Sequence, residues 1–191
     1  PKAKTKFALN LRIPGWHSCE TVPGDLYQFT DTKPSAYTIT VNGKAETATL
    51  KNGYAVIDRE WKKGDVVVLD LAMDVKRVVA RKEAKADSNR VALQRGPLVY
   101  CVEGADNNGA AWNLVLPASS QFTTATATIL NEPVVTIKAE APVVVVGNDR
   151  MSINTEKRQI TAIPYYTWAN RGRHQMQVWL PVSITDVLIN Y

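Results

Sequence analysis

SNRVALQRGPLVYCVE, Ser88 to Glu103, is the stretch whose reading decides the fold class. Two apolar runs, residues 91–93 and 98–102, flank a Gly96-Pro97 break. Each run is short, rich in β-branched or aromatic residues and bounded by turn formers, so each reads as a strand. Residues 98–102 carry no charge, which predicts a central strand covered on both faces. Pro97 has no amide hydrogen to give a ladder and belongs at a strand start or a bulge. Gly96 lets the chain turn there. On this reading the stretch is the seam between two β-modules, at 1–103 and 104–191, with the boundary somewhere in 88–112.

Upstream, Phe7, Leu9, Leu11 and Ile13 alternate with Ala8, Asn10 and Arg12, the pattern of a half-buried strand ended by Pro14-Gly15. Residues 20–35 read as a long surface loop with a short strand near 26–29. Residues 37–41 form the next strand. Asn42-Gly43 after it is a strong hairpin signal, because a type I′ turn needs positive φ at both central residues. Asn52-Gly53 and Lys63-Gly64-Asp65 mark two more turns. In 65–71, Val66 and Val68 face one side and Val67, Leu69 and Leu71 the other. A further strand falls at 75–80, and 84–88 is a polar connection. Strands recurring every 8–12 residues between turn signals indicate an all-β sandwich or barrel.

Downstream, 104–111 (GADNNGAA) reads as the most linker-like segment. Strands are expected at 112–116, 123–130, 134–139, 143–146, 157–163 and 175–180. Pro133, Pro142 and a Gly147-Asn148-Asp149 turn separate several of them. No amphipathic helix of ten or more residues is legible. The fold class is therefore all-β: two consecutive antiparallel β-sandwich modules with little or no helix.

Composition narrows the function classes. The 191 residues are 45% hydrophobic and 21% charged, which suits a packed globular chain. No apolar run approaches the roughly 20 residues that span a membrane as a helix. The chain opens PKAKTKF, without Met or a signal-type apolar core, which reads as a mature product or an excised piece. Nothing in it names a compartment. The net charge of +5 lies wholly in 1–103, most densely at Lys76, Arg77, Arg81, Lys82 and Lys85. That cluster reads as a solvated face, since no nucleic-acid-binding module accompanies it. Cys19 and Cys101 are too few for a disulfide scaffold, although a bridge between them stays open. Cys101, inside an apolar strand, reads as a buried thiol.

Catalytic and metal signals are weak. His17 and His174 have no ligand spacing to a partner, so no zinc site is expected within this chain. There is no G-x-S-x-G elbow. Cys19 beside His17 is a poor nucleophile pair on an extended chain. Asp58, Glu60, Asp65, Asp70 and Glu103 sit at turns or strand ends, where solvation or pairing with lysine is the simpler reading than glycoside chemistry. No catalytic residue is assigned.

Aromatic residues give the better lead. Trp61 and Trp179, next to strands, read as core. Trp16, after a turn, and Trp168, in a loop, could stack on a sugar ring or fill packing space. The segment 163–172 (IPYYTWANRG) packs three aromatics, an amide and a guanidinium into a turn-rich stretch. Tyr165, Trp168, Asn170 and Arg171 could bind a polar ring, or bury at an interface where Arg171 meets a carboxylate or backbone carbonyls.

Six motifs run in a fixed order: LRIPGW at 11–16, VNG at 41–43, GY at 53–54, R-x-W-x-x-G-D at 59–65, RVALQRGPLVYCVE at 90–103 and IPYYTWANRG at 163–172. In that order the chain resembles the C-terminal part of glycoside hydrolase family 127, the β-L-arabinofuranosidase family. The resemblance implies two β-sandwich domains behind an N-terminal catalytic (α/α)6 barrel, one of them used for dimerisation. It places the zinc ligands and the cysteine nucleophile in that barrel. Cys19 and Cys101 do not match the family's adjacent-cysteine pattern, so no cofactor is expected in this chain. The implied partners are the barrel of the same polypeptide, a second copy, and arabinose-containing glycans of plant type reached through the parent enzyme. Two rival readings remain: a carbohydrate-binding module using Trp16 or 165–171, and a structural or adhesion β-sandwich. An excised fragment should also expose an apolar, Trp-containing patch.

Overall fold

The structure, a computed structural model, describes residues 1–147 and 152–188. Its strands are β1 (Thr5–Arg12), β2 (Tyr27–Phe29), β3 (Tyr37–Val41), β4 (Lys44–Ala45), β5 (Thr49–Lys51), β6 (Tyr54–Trp61), β7 (Val67–Leu71), β8 (Val75–Ala80), β9 (Arg90–Arg95), β10 (Leu98–Glu103), β11 (Thr123–Ile129), β12 (Glu132–Val146), β13 (Ile153–Pro164), β14 (Met176–Gln177) and β15 (Leu180–Pro181). The α-helix α1 (Ile184–Leu188) is a single short one among the described residues. The chain divides into two compact units, residues 1–23 with 31–74, and residues 24–30 with 75–191.

The first unit is built from two three-stranded antiparallel sheets, β1-β6-β5 and β4-β3-β7. The alternation read from the sequence holds from Leu9 onward, while Phe7, expected on the same buried face, is exposed. Leu9, Leu11 and Ile13 from one sheet meet Ile39, Val41, Val67, Leu69 and Leu71 from the other around Ala55, Ile57 and Trp61. Val66 and Val68, one residue out of phase, are exposed. Trp61 donates its Nε1–H to Phe7 O at 3.0 Å, so its polar edge is satisfied in the core. Asn42 and Asn52 adopt φ of +54° and +51°, followed by Gly43 and Gly53 at +77° and +76°. These left-handed pairs are what a two-residue hairpin turn requires.

The second unit is organised on a nine-stranded sheet, ordered β11-β12-β13-β10-β9-β8-β2, with β14 also on β10 and β15 on β9. Strand β10 is central. Tyr100 pairs with Leu93 on one side and Pro164 on the other. Tyr100 and Val102 enter one core cluster, with Leu93, Ile137, Ile160 and Leu180. Cys101, on the opposite face, enters another with Ile129, Val134 and Ile163. Coverage on both faces therefore holds at residues 100–102, while Val99, close to the turn, is exposed. Burial pushes the Cys101 thiol up to about 12, helped by the carboxylates of Glu103 and Asp106. Cys19 and Cys101 are not bridged.

Several expectations are corrected. Residues 88–103 are not a seam. Arg95 pairs with Leu98, so Gly96-Pro97 is a two-residue hairpin turn with Gly96 at φ +57°, and both flanking strands lie inside the second unit. The boundary falls at Asp74/Val75, not between 88 and 112. Residues 24–30 also leave the first unit, because Tyr27, Gln28 and Phe29 pair with Ala80, Val79 and Val78. Counted by unit, ten basic and eight acidic residues fall in the first and thirteen and ten in the second, so the charge excess is shared. Nor is the basic cluster wholly a solvated face. Lys76 is buried with its Nζ 5.3 Å from the Phe29 ring, and Arg77 is half-buried, which lowers its pKa.

The segment 104–111 is no linker, since Gly104 and Asn107 are buried and its backbone closes on itself. Residues 112–116 form no strand; only Leu114 bridges to Val143, while Leu114 and Leu116 fill core. Glu132–Val146 is one continuous strand across Pro133 and Pro142. Pro142 is tolerated because its missing donor faces away from β13, past the end of β11, on the side where its carbonyl accepts from Val115 N–H at 3.1 Å. The single strand expected at 175–180 is two short pairings, β14 and β15. The expected turn beyond Gly147, at Asn148-Asp149, lies outside the described residues. No helix among the described residues is long and apolar enough to cross a membrane.

Candidate functional site

The five candidate residues separate. Trp16 is in the first unit, in the 3-10 turn Gly15–Ser18, while Tyr165, Trp168, Asn170 and Arg171 are in the second. Trp16 is half-buried, its ring edge-on to His17 at 5.7 Å, and buried His17 in turn meets Tyr37 at 5.4 Å. Trp16 thus packs against the first unit's own aromatics.

The other four sit where two chain segments leave the central strands. The first segment is the end of β10. Its last residue, Glu103, is 1% exposed. The chain then enters the 3-10 turn Gly104–Asp106, which brings Asp106 beside it. Gly104 is required here, because a Cβ would lie 2.7 Å from Gly109 O. Asn107 fixes the turn. It donates to Glu103 O at 2.8 Å and Thr161 O at 2.9 Å, and accepts from Thr161 N–H at 2.9 Å.

The second segment leaves β13 at Pro164 through the 3-10 turn Tyr165–Thr167. Thr167 Oγ1 donates to Pro164 O at 2.7 Å. Ala169 takes φ +66°, a left-handed conformation unfavourable for a residue with a Cβ. It is held there because its N–H donates to Glu103 Oε1 at 3.1 Å. Arg171 then forks onto both acids: Nη1 to Asp106 Oδ1 at 2.8 Å, Nη2 to Asp106 Oδ2 and to Glu103 Oε2, each at 2.5 Å. The Asp106 hydrogen bonds, more than those of Glu103, raise the Arg171 pKa above its ordinary value. A buried carboxylate is thereby paired with a cation and hydrogen-bonded on both oxygens, the condition under which burial of a charge is tolerated.

Arg171 points inward, while the exposed Asn170 and His174 bond back to the loop's own carbonyls. Arg171 is occupied by Glu103 and Asp106, Asn170 Nδ2 donates to Trp168 O at 2.9 Å, and His174 Nε2 lies 3.2 Å from Arg171 O. The rings point outward. Tyr166 is 64% and Tyr165 43% exposed, with Trp168 half-buried against Tyr165 at 6.0 Å. Trp112 is exposed as well, its Nε1–H donating to Met176 O at 3.2 Å. Such a surface offers flat apolar area with few convergent polar groups. Arg171 meets its two carboxylates within the second unit itself.

Glu103, expected to be solvated or paired with lysine, is instead buried and paired with Arg171, and nothing in the sequence singled out Asp106 or Asn107. The legible signal was an acid terminating an otherwise uncharged strand. Glu103 and Asp106 share one guanidinium, so they do not flank an open gap as a general acid and its partner would. Asp65 is held below its usual carboxylate range by hydrogen bonds from Asn42 Nδ2 and Lys62 N–H. Cys19 Sγ lies 3.0 Å from Thr32 O. Among the described residues, no three His, Cys, Asp or Glu side chains gather as a metal would need.

Comparison with known proteins bears on the whole chain. Residues 1–73 match the model of the β-L-arabinofuranosidase GH127 middle domain, and residues 75–181 that of the glycoside hydrolase family 127 C-terminal domain. The non-reducing end β-L-arabinofuranosidase of Bifidobacterium longum is 33% identical over 88% of this chain and 25% of its own length. A solved GH127 β-arabinofuranosidase superposes with a TM-score of 0.87 at 36% identity, over 96% of this chain and 29% of the other. A GH127 β-L-arabinofuranosidase from Geobacillus stearothermophilus T6 gives 0.76 at 36% identity, over 95% and 27%. The chain thus spans about a quarter of the length of these relatives. It belongs to glycoside hydrolase family 127, and what it carries are that family's middle and C-terminal domains.

Proposed function

We propose that this chain is a non-catalytic β-region of a β-L-arabinofuranosidase-like glycoside hydrolase. In that enzyme it braces a helical catalytic barrel supplied by the same polypeptide, which acts on arabinose-containing glycans. The observation that carries the reading is the fate of the strongest acidic constellation. Glu103 and Asp106 are both bound to Arg171, so the cluster is spent on holding a loop and not on meeting a substrate. The zinc and the nucleophile of the family belong, on this reading, to the barrel.

Turnover of an aryl β-L-arabinofuranoside tests it. The 191-residue chain alone is expected to give none, and a polypeptide joining it to the helical barrel of a relative is expected to give activity. Turnover by the isolated chain would overturn the proposal.

A further inference from the structure

The second unit contains a groove of about 820 Å³ that shares no lining residue with the aromatic loop. Its floor is the outer face of the β12–β13 ribbon, where Lys138, Glu140 and Pro142 lie beside Thr155, Lys157 and Gln159. Its wall is the segment from Pro117 to Thr123, presenting Ser119, Ser120 and Gln121. That wall is fixed from behind. Arg77 donates to the carbonyls of Leu116, Pro117 and Ser120 at 3.3, 2.8 and 3.1 Å. Its guanidinium also lies 4.7 Å from the Phe122 ring. Three carbonyls on one half-buried cation hold a loop in a single geometry, which lowers the ordering cost of binding.

The chemistry of the lining selects a ligand class. Two lysines and two glutamates, with Lys157 paired to Glu140, leave no net charge, so an acidic polymer or nucleic acid gains nothing here. On the β12 edge Pro142 carries no N–H and its carbonyl already accepts from Val115 N–H, so a peptide finds no continuous ladder to join there. No large aliphatic or aromatic side chain lines the groove to seat an apolar anchor. What remains is a dense set of groups that both donate and accept: two primary amides, four hydroxyls, and ammonium and carboxylate groups. That set complements a ligand whose hydroxyls also both donate and accept. We propose that this groove binds a neutral oligosaccharide. The proposal stands apart from the non-catalytic reading, because binding is measured on the chain itself and does not involve turnover.

The test is amide chemical-shift titration of the 191-residue chain with arabino-, xylo- and gluco-oligosaccharides, and with polygalacturonate as the acidic probe. At least one neutral oligomer is expected to shift amides in 117–123 and 138–142 with a Kd of about 1 mM. A Gln121→Ala/Gln159→Ala variant alters two exposed side chains and should keep native circular dichroism while weakening binding at least tenfold. Tyr166→Ala should bind as the parent does. Silence toward every neutral oligomer at about 10 mM, shifts confined to 165–172, or preference for polygalacturonate would each overturn the proposal.

Discussion

The first unit closes on an apolar layer in which each buried strand residue is aliphatic or aromatic. The second buries, beside its aliphatic clusters, a carboxylate, an amide and a thiol, at Glu103, Asn107 and Cys101. The first layer is held by area removed from water and tolerates apolar side chains of similar volume. In the second unit, the turn after β10 and the loop after β13 are held to each other by charge and hydrogen bonds with fixed partners. Hydrophobic packing sets the sheets; directional polar contacts set where the loops go. Losing a methyl group weakens the first kind of structure gradually, whereas losing one ion partner strands a charge.

The sharpest way to break this contrast is Arg171→Ala. It leaves Glu103 buried with Asp106 nearby and no cation, at an expected cost of about 3–5 kcal/mol, read from denaturant unfolding. Adding Glu103→Gln should recover part of the loss, because the stranded charge is gone. An additive double variant would show that the pair acts through packing alone. Next comes Ile57→Ala in the first unit. Truncating this buried side chain should cost about 3 kcal/mol. Faster hydrogen exchange should follow in β1 and β6, and no neutralising second substitution should rescue it. The smallest effect concerns pH. The folded-state pKa of Cys101 is raised, so its contribution to stability is full below the ordinary value of 9.0 and is lost as pH rises toward about 12. Unfolding midpoints should fall across that window, less steeply in Cys101→Ala. At pH 8 a thiol reagent should label half-exposed Cys19 and spare Cys101.

The same contrast explains what could be read in advance. The Asn42-Gly43 and Asn52-Gly53 turns and the Leu9-Leu11-Ile13 face are local: neighbouring residues state the whole requirement. The boundary is not local. It depends on Tyr27 to Phe29 pairing with Val78 to Ala80, which no window of sequence displays. Leu114 and Leu116 looked like strand residues because core-filling side chains need no ladder to be apolar. Arg171 was open to a polar ring, a carboxylate or backbone carbonyls, and Glu103, which it meets, lies 68 positions away. Spacing could name the appetite without naming the partner.

The short strand Tyr27–Phe29 has a bearing on how the molecule comes into being. It leaves the ribosome among residues of the first unit, yet its hydrogen-bonding neighbour, Val75–Ala80, is synthesised only after β3 to β7. Until then the strand has nothing to zip onto. Dividing the gene at codon 74 would also give its coding segment to the wrong half, so a faithful transplant of the later module must take residues 24–30 along.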